Sequence, residues 1–217
     1  MIRAIVFDFD GTILDTETAD FECWCDIFRE HGCELELEQW SACVGTTYEA
    51  FDPRAYLEQK TGRDLDWESP TADHRRRHDS RVNTLQLPAA IEALLADARR
   101  IGIKIGIASS GSREWVEGHI GRLGILDQFD TIRCADDVTL VKPDPELYLT
   151  VLRDLNVCAS EAVAIEDSFN GARAAKSAGM ACVWVPNPIT RGMQVPCDLK
   201  LSSLEELTLE RVLAIRP

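Results

Sequence analysis

The sequence of 217 residues contains no long apolar segment and no pair of cysteines in C-x-x-C spacing. A membrane-spanning helix needs about 20 consecutive apolar residues, so the sequence predicts none. The apolar residues at positions 2 and 4 to 7 are too few for a secretory leader and lead directly into acidic residues. We therefore expect a cytoplasmic protein whose eight cysteines are reduced thiols.

Basic residues are also scarce, with 23 Lys and Arg against 37 Asp and Glu, which gives a formal net charge of −14. This charge argues against a nucleic-acid partner and against an anionic membrane surface. The charge does not exclude a small anionic ligand, because a local cationic group outweighs a diffuse negative surface at contact distance. The four histidines form no recognisable set of metal ligands, and no repeat or low-complexity tract indicates an assembly. A monomer is the default expectation.

The most informative segment lies near the start of the chain, where an apolar run ends in Asp8, Phe9, Asp10 and Gly11. Residues two apart on a strand point to the same side, so Asp8 and Asp10 can address one small site. Gly11 allows the backbone to approach that site closely. Two carboxylates in this arrangement indicate metal-assisted phosphoryl chemistry. The alternative is a solvated strand end followed by an ordinary Asp-Gly turn.

Three later apolar segments also end in polar residues that suit a phosphate site. They are followed by Ser109-Ser110-Gly111, by Lys142, and by Glu166-Asp167. In an open α/β sheet, ligands bind beyond the carboxyl ends of the strands, near the point where the strand order reverses. We therefore expect these strand ends to meet in one crevice. Each has an ordinary alternative, namely a serine helix cap, a solvated lysine, and an acidic pair at a helix N-terminus.

The four segments, in this order, resemble the four motifs of the haloacid dehalogenase superfamily of phosphohydrolases. Within it they resemble the group that includes β-phosphoglucomutase and small sugar-phosphate phosphatases. The resemblance implies an α/β fold with a Rossmann-like, three-layer, parallel-sheet core and an inserted α-helical cap domain. The expected core comprises residues 1–15 and 86–217, and the expected cap comprises residues 16–85. Alternating strands and helices after residue 86 independently predict a parallel sheet.

The resemblance also implies a role for each aspartate. Asp8 would attack phosphorus and form an aspartyl phosphate, which splits one difficult displacement into two easier ones. Asp10 would act as general acid and then as general base. Mg²⁺ suits an all-oxygen site with few carboxylates, and its implied ligands are the Asp8 carboxylate, the Asp10 backbone carbonyl and Asp167. Glu166 would orient the lysine or a metal-bound water.

The remaining implied residues bind the phosphoryl group. Ser109, together with the backbone amides of Ser110 and Gly111, would hold its oxygens near a helix N-terminus. Lys142 would offset the charge repulsion between substrate and nucleophile. In the expected cap, Gly45, Thr46 and Thr47 resemble by position the loop that contacts substrate, although a Gly-Thr turn between helices is equally consistent with them.

The region between the first strand and residue 85 has a helical pattern. Apolar residues recur at positions 21, 24, 25 and 28 and predict a helix that ends near Gly32. Further helices are predicted over 37–43, over 48–60 with an interruption at Pro53, and over 70–85. The basic run Arg75-Arg76-Arg77-His78 either attracts a second anionic group or forms a solvated helix face.

One departure from the β-phosphoglucomutase pattern bears on the activity. That enzyme has a cap histidine shortly after the first motif, whereas this chain has Glu17, Thr18, Ala19, Asp20 and Phe21 there. We therefore predict a Mg²⁺-dependent phosphatase acting on a small phosphorylated metabolite, a sugar or polyol phosphate. The alternatives are a sugar phosphomutase, a metal-independent haloacid dehalogenase, against which Asp10 argues, and a non-catalytic binding protein.

Overall fold

The computed structural model describes residues 1–40 and 51–215, except for the side chains of residues 69 and 70. The described chain contains one parallel sheet of six strands. The strands are β1 Ala4–Phe7, β2 Lys104–Ala108, β3 Thr131–Arg133, β4 Ala162–Glu166, β5 Ala181–Trp184 and β6 Leu199–Lys200. Their order across the sheet is β3-β2-β1-β4-β5-β6.

Helices connect these strands. Four lie in the segment that directly follows β1: α1 Thr16–Glu30, α2 Leu37–Trp40, α3 Pro53–Thr61 and α4 Glu68–Thr84. The others are α5 Ala89–Arg100, α6 Arg113–Arg122, α7 Glu146–Leu155, α8 Phe169–Ser177 and α9 Leu209–Leu213. Short 3-10 turns occur at Leu126–Gln128, Ala135–Asp137, Ala159–Glu161 and Leu204–Glu206.

The sheet is buried on both faces, as the continuous apolar strands require. Odd-numbered residues of β1, such as Ile5 and Phe7, pack with α5, α6 and α9, whereas Ala4 and Val6 pack with α7 and α8 on the opposite face. The two apolar clusters therefore place helices on both sides of the sheet. This arrangement confirms the predicted α/β fold with a three-layer, parallel-sheet core.

The strand order reverses between β1 and β4. From β1 the chain adds β2 and β3 on one side, and it then crosses to form β4, β5 and β6 on the other side. Phe7 is in register with Ile165, and the Asp8 amide donates a hydrogen bond of 2.9 Å to the Ile165 carbonyl. The residues that follow β1 and β4 consequently lie beside each other at one edge of the sheet, where ligands bind in such folds.

Helices α1 to α4, which we call the helical insertion, have an apolar cluster of their own. Trp24, Ile27, Phe28, Trp40 and Leu57 are buried in it, and Ile189 from the loop after β5 packs against them. The cluster explains the apolar spacing that predicted α1, which ends at Glu30, two residues before Gly32.

The limits of two predicted helices differ from those observed. In α3, Pro53 occupies the start of the helix and Asp52 caps it by accepting a hydrogen bond from the Arg54 amide, so the proline begins the helix instead of interrupting one. Helix α4 begins two residues before its predicted start. Parts of the helices predicted over 37–43 and 48–60 lie outside the described residues.

Strand β6 and helix α9 were not predicted, because they have only two and five residues. All cysteines within the described residues are free thiols. No helix in the described part of the chain is both long and apolar enough to span a membrane.

Candidate active site

Three buried carboxylates converge at the edge of the sheet where β1 and β4 end. Asp8 follows β1, Glu166 is the last residue of β4, and Asp167 comes next. Each contributes a carboxylate oxygen that lies within 4.8 Å of the other two. Their exposed fractions are 7%, 0% and 1%. The parallel pairing of β1 with β4 brings the first and fourth motifs together, as the sequence predicted.

Lys142 connects two of these carboxylates. Its Nζ donates hydrogen bonds of 2.5 Å to Asp8 Oδ1 and 2.7 Å to Glu166 Oε1. The Tyr148 hydroxyl donates a further hydrogen bond of 2.5 Å to the same Glu166 oxygen. Burial alone would lower the pKa of Lys142, but the neighbouring carboxylates of Asp8 and Glu166 raise it above its ordinary value. Lys142 is therefore an ammonium at physiological pH, and the prediction that it belongs to the site fits this position.

The cluster holds more negative than positive charge. Burial raises the pKa of Asp8 to about 7, Lys142 opposes this shift, and Glu166 adds to it. Burial, together with the charge of Asp8, also raises the pKa of Asp167 well above its ordinary value. Buried carboxylates without a matching cation are costly, and a hard divalent ion with oxygen ligands would remove that cost. The donor set therefore fits a metal ion of the magnesium type.

Glu166 differs from the two aspartates in how its oxygens are used. Oε1 accepts two hydrogen bonds, from Lys142 and Tyr148, and Oε2 accepts one of 3.3 Å from the Ser168 hydroxyl. Gly171 on α8 makes room for this carboxyl group, since a Cβ at that position would lie about 2 Å from it. This engagement favours a supporting role for Glu166, with Asp8 and Asp167 available to a metal ion.

The Asp167 carboxyl group is fixed by contacts with two other segments. Asn187, in the loop after β5, donates a hydrogen bond of 2.7 Å from Nδ2 to Asp167 Oδ2. Gly11 adopts a positive φ of 84°, and a Cβ there would lie 2.1 Å from the same oxygen. The glycine is therefore required both for its turn conformation and for the close approach of the first loop to Asp167.

Asp10 lies outside the acidic cluster formed by the described residues, and its carboxylate has separate partners. Oδ1 accepts hydrogen bonds from Thr16 Oγ1 at 2.9 Å and from Trp115 Nε1 at 2.8 Å. A side chain held in this way is kept apart from the cluster of three carboxylates, and its predicted role as general acid and base is compatible with that separation. The predicted metal contact of the Asp10 carbonyl remains a prediction.

The second motif lies at the end of β2. Ser109 is fully buried, and its Oγ accepts a hydrogen bond of 3.0 Å from the Gly111 amide. The serine that caps α6 is Ser112, whose Oγ accepts from the Trp115 amide. The helix-cap interpretation therefore applies to Ser112. Binding of a phosphoryl group by Ser109 and by the amides of Ser110 and Gly111 remains a prediction.

A cavity of about 440 Å³ lies beside Asp10, between the helical insertion and α6. Among the side chains that line it are Glu17, Asp20, Arg54, His74, Arg75 and His78. Burial raises the pKa of Glu17 to about 8, and the charges of Asp10 and Asp20 add to the shift. Glu17 is consequently protonated and neutral near pH 7.

The basic run on α4 was interpreted either as a site for a second anionic group or as a solvated helix face, and its residues fall into both groups. Arg76 pairs with Asp73, and Arg77 pairs with Glu30 and Asp73 on the helix surface. Arg75 and His78 instead line the cavity. The predicted substrate loop of Gly45, Thr46 and Thr47 lies outside the described residues.

Among the described residues, five that hydrogen-bond the carboxylates of the site were not predicted: Thr16, Trp115, Tyr148, Ser168 and Asn187. Trp115, Tyr148 and Asn187 reach the site from distant parts of the sequence. Asn187 could have been suspected, because it follows a strand at the same edge of the sheet. Tyr148 has the spacing of an ordinary core aromatic residue within α7, so the sequence contains no signal for its contact with Glu166.

This combination of a doubly wound parallel sheet with an aspartate pair after β1, a buried lysine and an acidic pair after β4 defines a class of hydrolases. The chain matches the model of the haloacid dehalogenase-like hydrolases over residues 5–185 and belongs to that family. The predicted family and the prediction of an enzyme are confirmed.

The similarity to known relatives covers nearly the full length of the chain. YhcW of Bacillus subtilis (strain 168) is 44% identical over 214 residues, covering 98% of this chain and 97% of YhcW. Validoxylamine A 7'-phosphate phosphatase of Streptomyces hygroscopicus subsp. limoneus is 29% identical and covers 95% of this chain and 96% of its own. β-Phosphoglucomutase of Bacillus subtilis is 30% identical, with 96% and 93% covered.

A solved structure agrees with these relatives. The crystal structure of CbbY from Rhodobacter sphaeroides in complex with xylulose-(1,5)-bisphosphate superposes with a TM-score of 0.70 at 30% identity. It covers 95% of this chain and 96% of CbbY. The chain is thus a haloacid dehalogenase-like hydrolase similar to proteins that act on or bind phosphorylated small molecules.

Proposed function

We propose that this protein is a Mg²⁺-dependent phosphatase that hydrolyses a sugar or polyol phosphate through an aspartyl phosphate on Asp8. The observation that carries the proposal is the separation of two carboxylates by environment. Asp8 lies in the buried cluster beside Lys142, whereas Asp10 is hydrogen-bonded apart from it by Thr16 and Trp115. Such a separation allows one carboxylate to attack while the other transfers protons.

In the first half-reaction, an oxygen of Asp8 attacks phosphorus and the bond to the alcohol oxygen breaks. Asp10 gives its proton to that oxygen, so that an alcohol leaves instead of an alkoxide. Lys142 is adjacent to Asp8 and stabilises the negative charge on the transferred group. In the second half-reaction, Asp10 takes a proton from water as the water attacks phosphorus, which releases inorganic phosphate and restores Asp8.

The cluster suits any hard cation that carboxylate oxygens can bind, and we propose Mg²⁺ as that cation. Asp8 and Asp167 would hold Mg²⁺, with the Asp10 carbonyl as the third protein ligand. When bound, the ion supplies electrostatic stabilisation of the phosphoryl oxygens and lowers repulsion between substrate and nucleophile. Asn187 and Gly11 contribute by fixing the Asp167 carboxyl group.

The cavity beside Asp10 supports the proposal that the helical insertion contacts the leaving group of the substrate. We assign residues 16–85 to a cap domain and residues 1–15 and 86–217 to the catalytic core. The cavity lies between them, next to the proton donor, so the alcohol portion of the substrate would occupy it and exclude water from the reaction. The phosphorylated compounds in the names of the relatives support a sugar-like leaving group.

A sugar phosphomutase is the second candidate, because β-phosphoglucomutase is 30% identical to this chain. A mutase must protect its aspartyl phosphate from water until a second sugar hydroxyl is in place. Helix α1 lines the cavity with Glu17 and Asp20, at the positions where the β-phosphoglucomutase pattern would lead one to expect a cap histidine. This difference favours the phosphatase.

The test is release of inorganic phosphate from a panel of sugar, polyol and nucleoside phosphates, with Mg²⁺ and with a chelator. We expect metal-dependent release of inorganic phosphate that is lost in Asp8→Asn. When the wild-type reaction is quenched during turnover, we also expect a phosphoryl group on the intact protein. The same reactions are followed for interconversion of hexose phosphates. Interconversion faster than phosphate release would establish the mutase, and absence of both reactions would contradict the proposed function.

A further inference from the structure

The indole ring of Trp115 is hydrogen-bonded to the carboxylate that the proposed reaction uses for proton transfer. Its Nε1 lies 2.8 Å from Asp10 Oδ1. We propose that Trp115 is a positioning residue that holds Asp10 so that Oδ2, and not Oδ1, exchanges the proton with the leaving alcohol and with water. This inference rests on the proposed function, but the hydrogen bond can be tested separately from turnover.

Hydrogen-bonding chemistry distinguishes the two oxygens of Asp10. An indole N–H only donates, so an oxygen that faces it cannot direct a proton towards it. Oδ1 accepts from both Trp115 and Thr16. Oδ2 faces Gly111 instead, where a Cβ would lie 3.2 Å from it, so the absent side chain leaves space beside this oxygen. The proton that Asp10 gives and recovers is therefore carried on Oδ2.

Trp115 is itself held firmly enough to orient a partner. It lies in the first turn of α6, where Ser112 accepts a hydrogen bond from its amide. His78 from the helical insertion stacks on its ring, with centroids 5.5 Å apart and planes inclined by 14°. His119 contacts the ring edge-on at 4.2 Å. A donor fixed on both sides fixes the acceptor, and general acid catalysis depends on such positioning.

The location of Trp115 distinguishes this role from ordinary packing. Trp115 is partly buried and lines the cavity beside Asp10. Trp67 provides a matched comparison, since its Nε1 donates a hydrogen bond of the same length, 2.8 Å, to Glu58 Oε1 within the helical insertion. The two tryptophans make the same kind of bond, but only the Trp115 bond reaches a residue of the proposed mechanism.

The kinetic test compares Trp115→Phe with Trp67→Phe on two classes of phosphate ester. An alkyl phosphate needs protonation of its leaving oxygen, whereas p-nitrophenyl phosphate has a leaving group that departs as an anion. The ratio kcat/KM reports steps up to release of the alcohol. We expect Trp115→Phe to lower kcat/KM about 10- to 100-fold for the alkyl ester, within the range of general acid catalysis. The aryl ester should change by less than about threefold, on the same reasoning.

The loss should appear in kcat with little change in KM, and Trp67→Phe should leave both esters within about twofold, because its bond lies outside the proton path. An equal loss on both esters, a loss confined to KM, or no loss would overturn the proposal. If Trp115→Phe does not fold, incorporation of benzothienylalanine at position 115 replaces only the N–H with sulfur and preserves the shape of the ring.

A spectroscopic measurement tests the hydrogen bond without turnover. The protein has five tryptophans, so ¹H–¹⁵N spectra show five indole signals, of which the one lost in Trp115→Phe belongs to Trp115. Asp10→Asn should shift that signal and leave the Trp67 signal in place. An unmoved Trp115 signal overturns the positioning role. If the wild-type protein is inactive but Asp10→Asn still shifts the Trp115 signal, the proposed function is overturned and the hydrogen bond is retained.

Discussion

Replacement of Lys142 by methionine should destabilise the metal-free protein in a pH-dependent manner. Lys142 is 9% exposed and pairs with Asp8 and Glu166, while Asp167 lies within 4.8 Å of both carboxylates. Methionine has a similar length and no charge. The substitution therefore removes the cation of the described cluster and leaves its carboxylates buried together.

The expected magnitude follows from this burial. Removing one partner of a buried ion pair costs about 3–5 kcal/mol of the free energy of unfolding. For a domain of this size, 1 kcal/mol shifts Tm by about 2–4 °C. We therefore expect Tm to fall by about 6–20 °C at pH 8 in chelator, given those two relations.

The direction of the pH dependence follows from Asp8. Its folded-state pKa of about 7 lies above its ordinary value of 3.8, so the folded state binds more protons and loses stability as pH rises between these values. Lys142 holds that pKa down, so its removal raises the pKa of Asp8 further. At pH 5 the carboxyl group stays protonated in both proteins. The difference in stability between wild type and variant should therefore widen from pH 5 to pH 8.

The assay is thermal unfolding in chelator at pH 5, 6.5 and 8, with Lys176→Met as the matched control. Lys176 also pairs with an aspartate at 2.7 Å, but its side chain is 38% exposed. An exposed pair contributes at most about 1 kcal/mol, so the control should shift Tm only slightly. A fall in Tm of less than about 2 °C for Lys142→Met at pH 8, or a difference that does not widen with pH, would refute the reasoning, given the scale above.

Three further predictions concern the metal site and its surroundings. Saturating Mg²⁺ at about 100 times its Kd should stabilise the wild type by about 2.7 kcal/mol in thermal unfolding; Asp167→Asn should lose most of this gain, and an undiminished gain would contradict the ligand assignment. Glu17→Gln should flatten the decline in stability between pH 5 and 8, because the raised pKa of about 8 keeps Glu17 protonated in the folded state while the unfolded chain, with a pKa near 4.5, ionises. Denaturant unfolding across pH measures this, and an unchanged slope would show that Glu17 ionises without cost. Gly171→Ala should cost at least about 1–3 kcal/mol in the same assay and lower turnover, because its Cβ would lie about 2 Å from the Glu166 carboxyl group. Gly118→Ala in α6, where an added Cβ would meet no described atom within 4 Å beyond its own helix, should be neutral or stabilising; equal losses in the two alanine variants would argue against steric displacement of Glu166.

Local signals predicted the strands that carry Asp8, Ser109 and Glu166, but the prediction of a strand end at Lys142 was wrong, because Lys142 lies in a turn just before α7. The apolar runs that precede Ser109 and Glu166 form β2 and β4, which end at Ala108 and Glu166. The rule that ligands bind beyond the carboxyl ends of parallel strands then brought Asp8 and Glu166 together, and the β1 and β4 pairing agrees with it.

The contacts that orient the site residues could not be predicted in this way. Trp115 and Asp10 are 105 positions apart, and their hydrogen bond depends on how α6 packs beside the first loop. Tyr148 reaches Glu166 only because α7 packs on the face of the sheet beside β1, β2 and β3. Neither residue type is unusual in its own helix, so local spacing contains no information about these bonds.

The strand order has a consequence for the newly made chain. Asp8 leaves the ribosome with β1, but Asp167 follows β4, roughly 10 to 30 s later at ordinary rates of synthesis. During that interval the early aspartates have no partner strand to bring them against a third carboxylate, and they remain hydrated and separately weak ligands. The complete cluster of three carboxylates is thus a property of the nearly completed polypeptide. A nascent chain released before β4 would lack both the carboxylate cluster and the buried ion pair of Lys142 with Glu166.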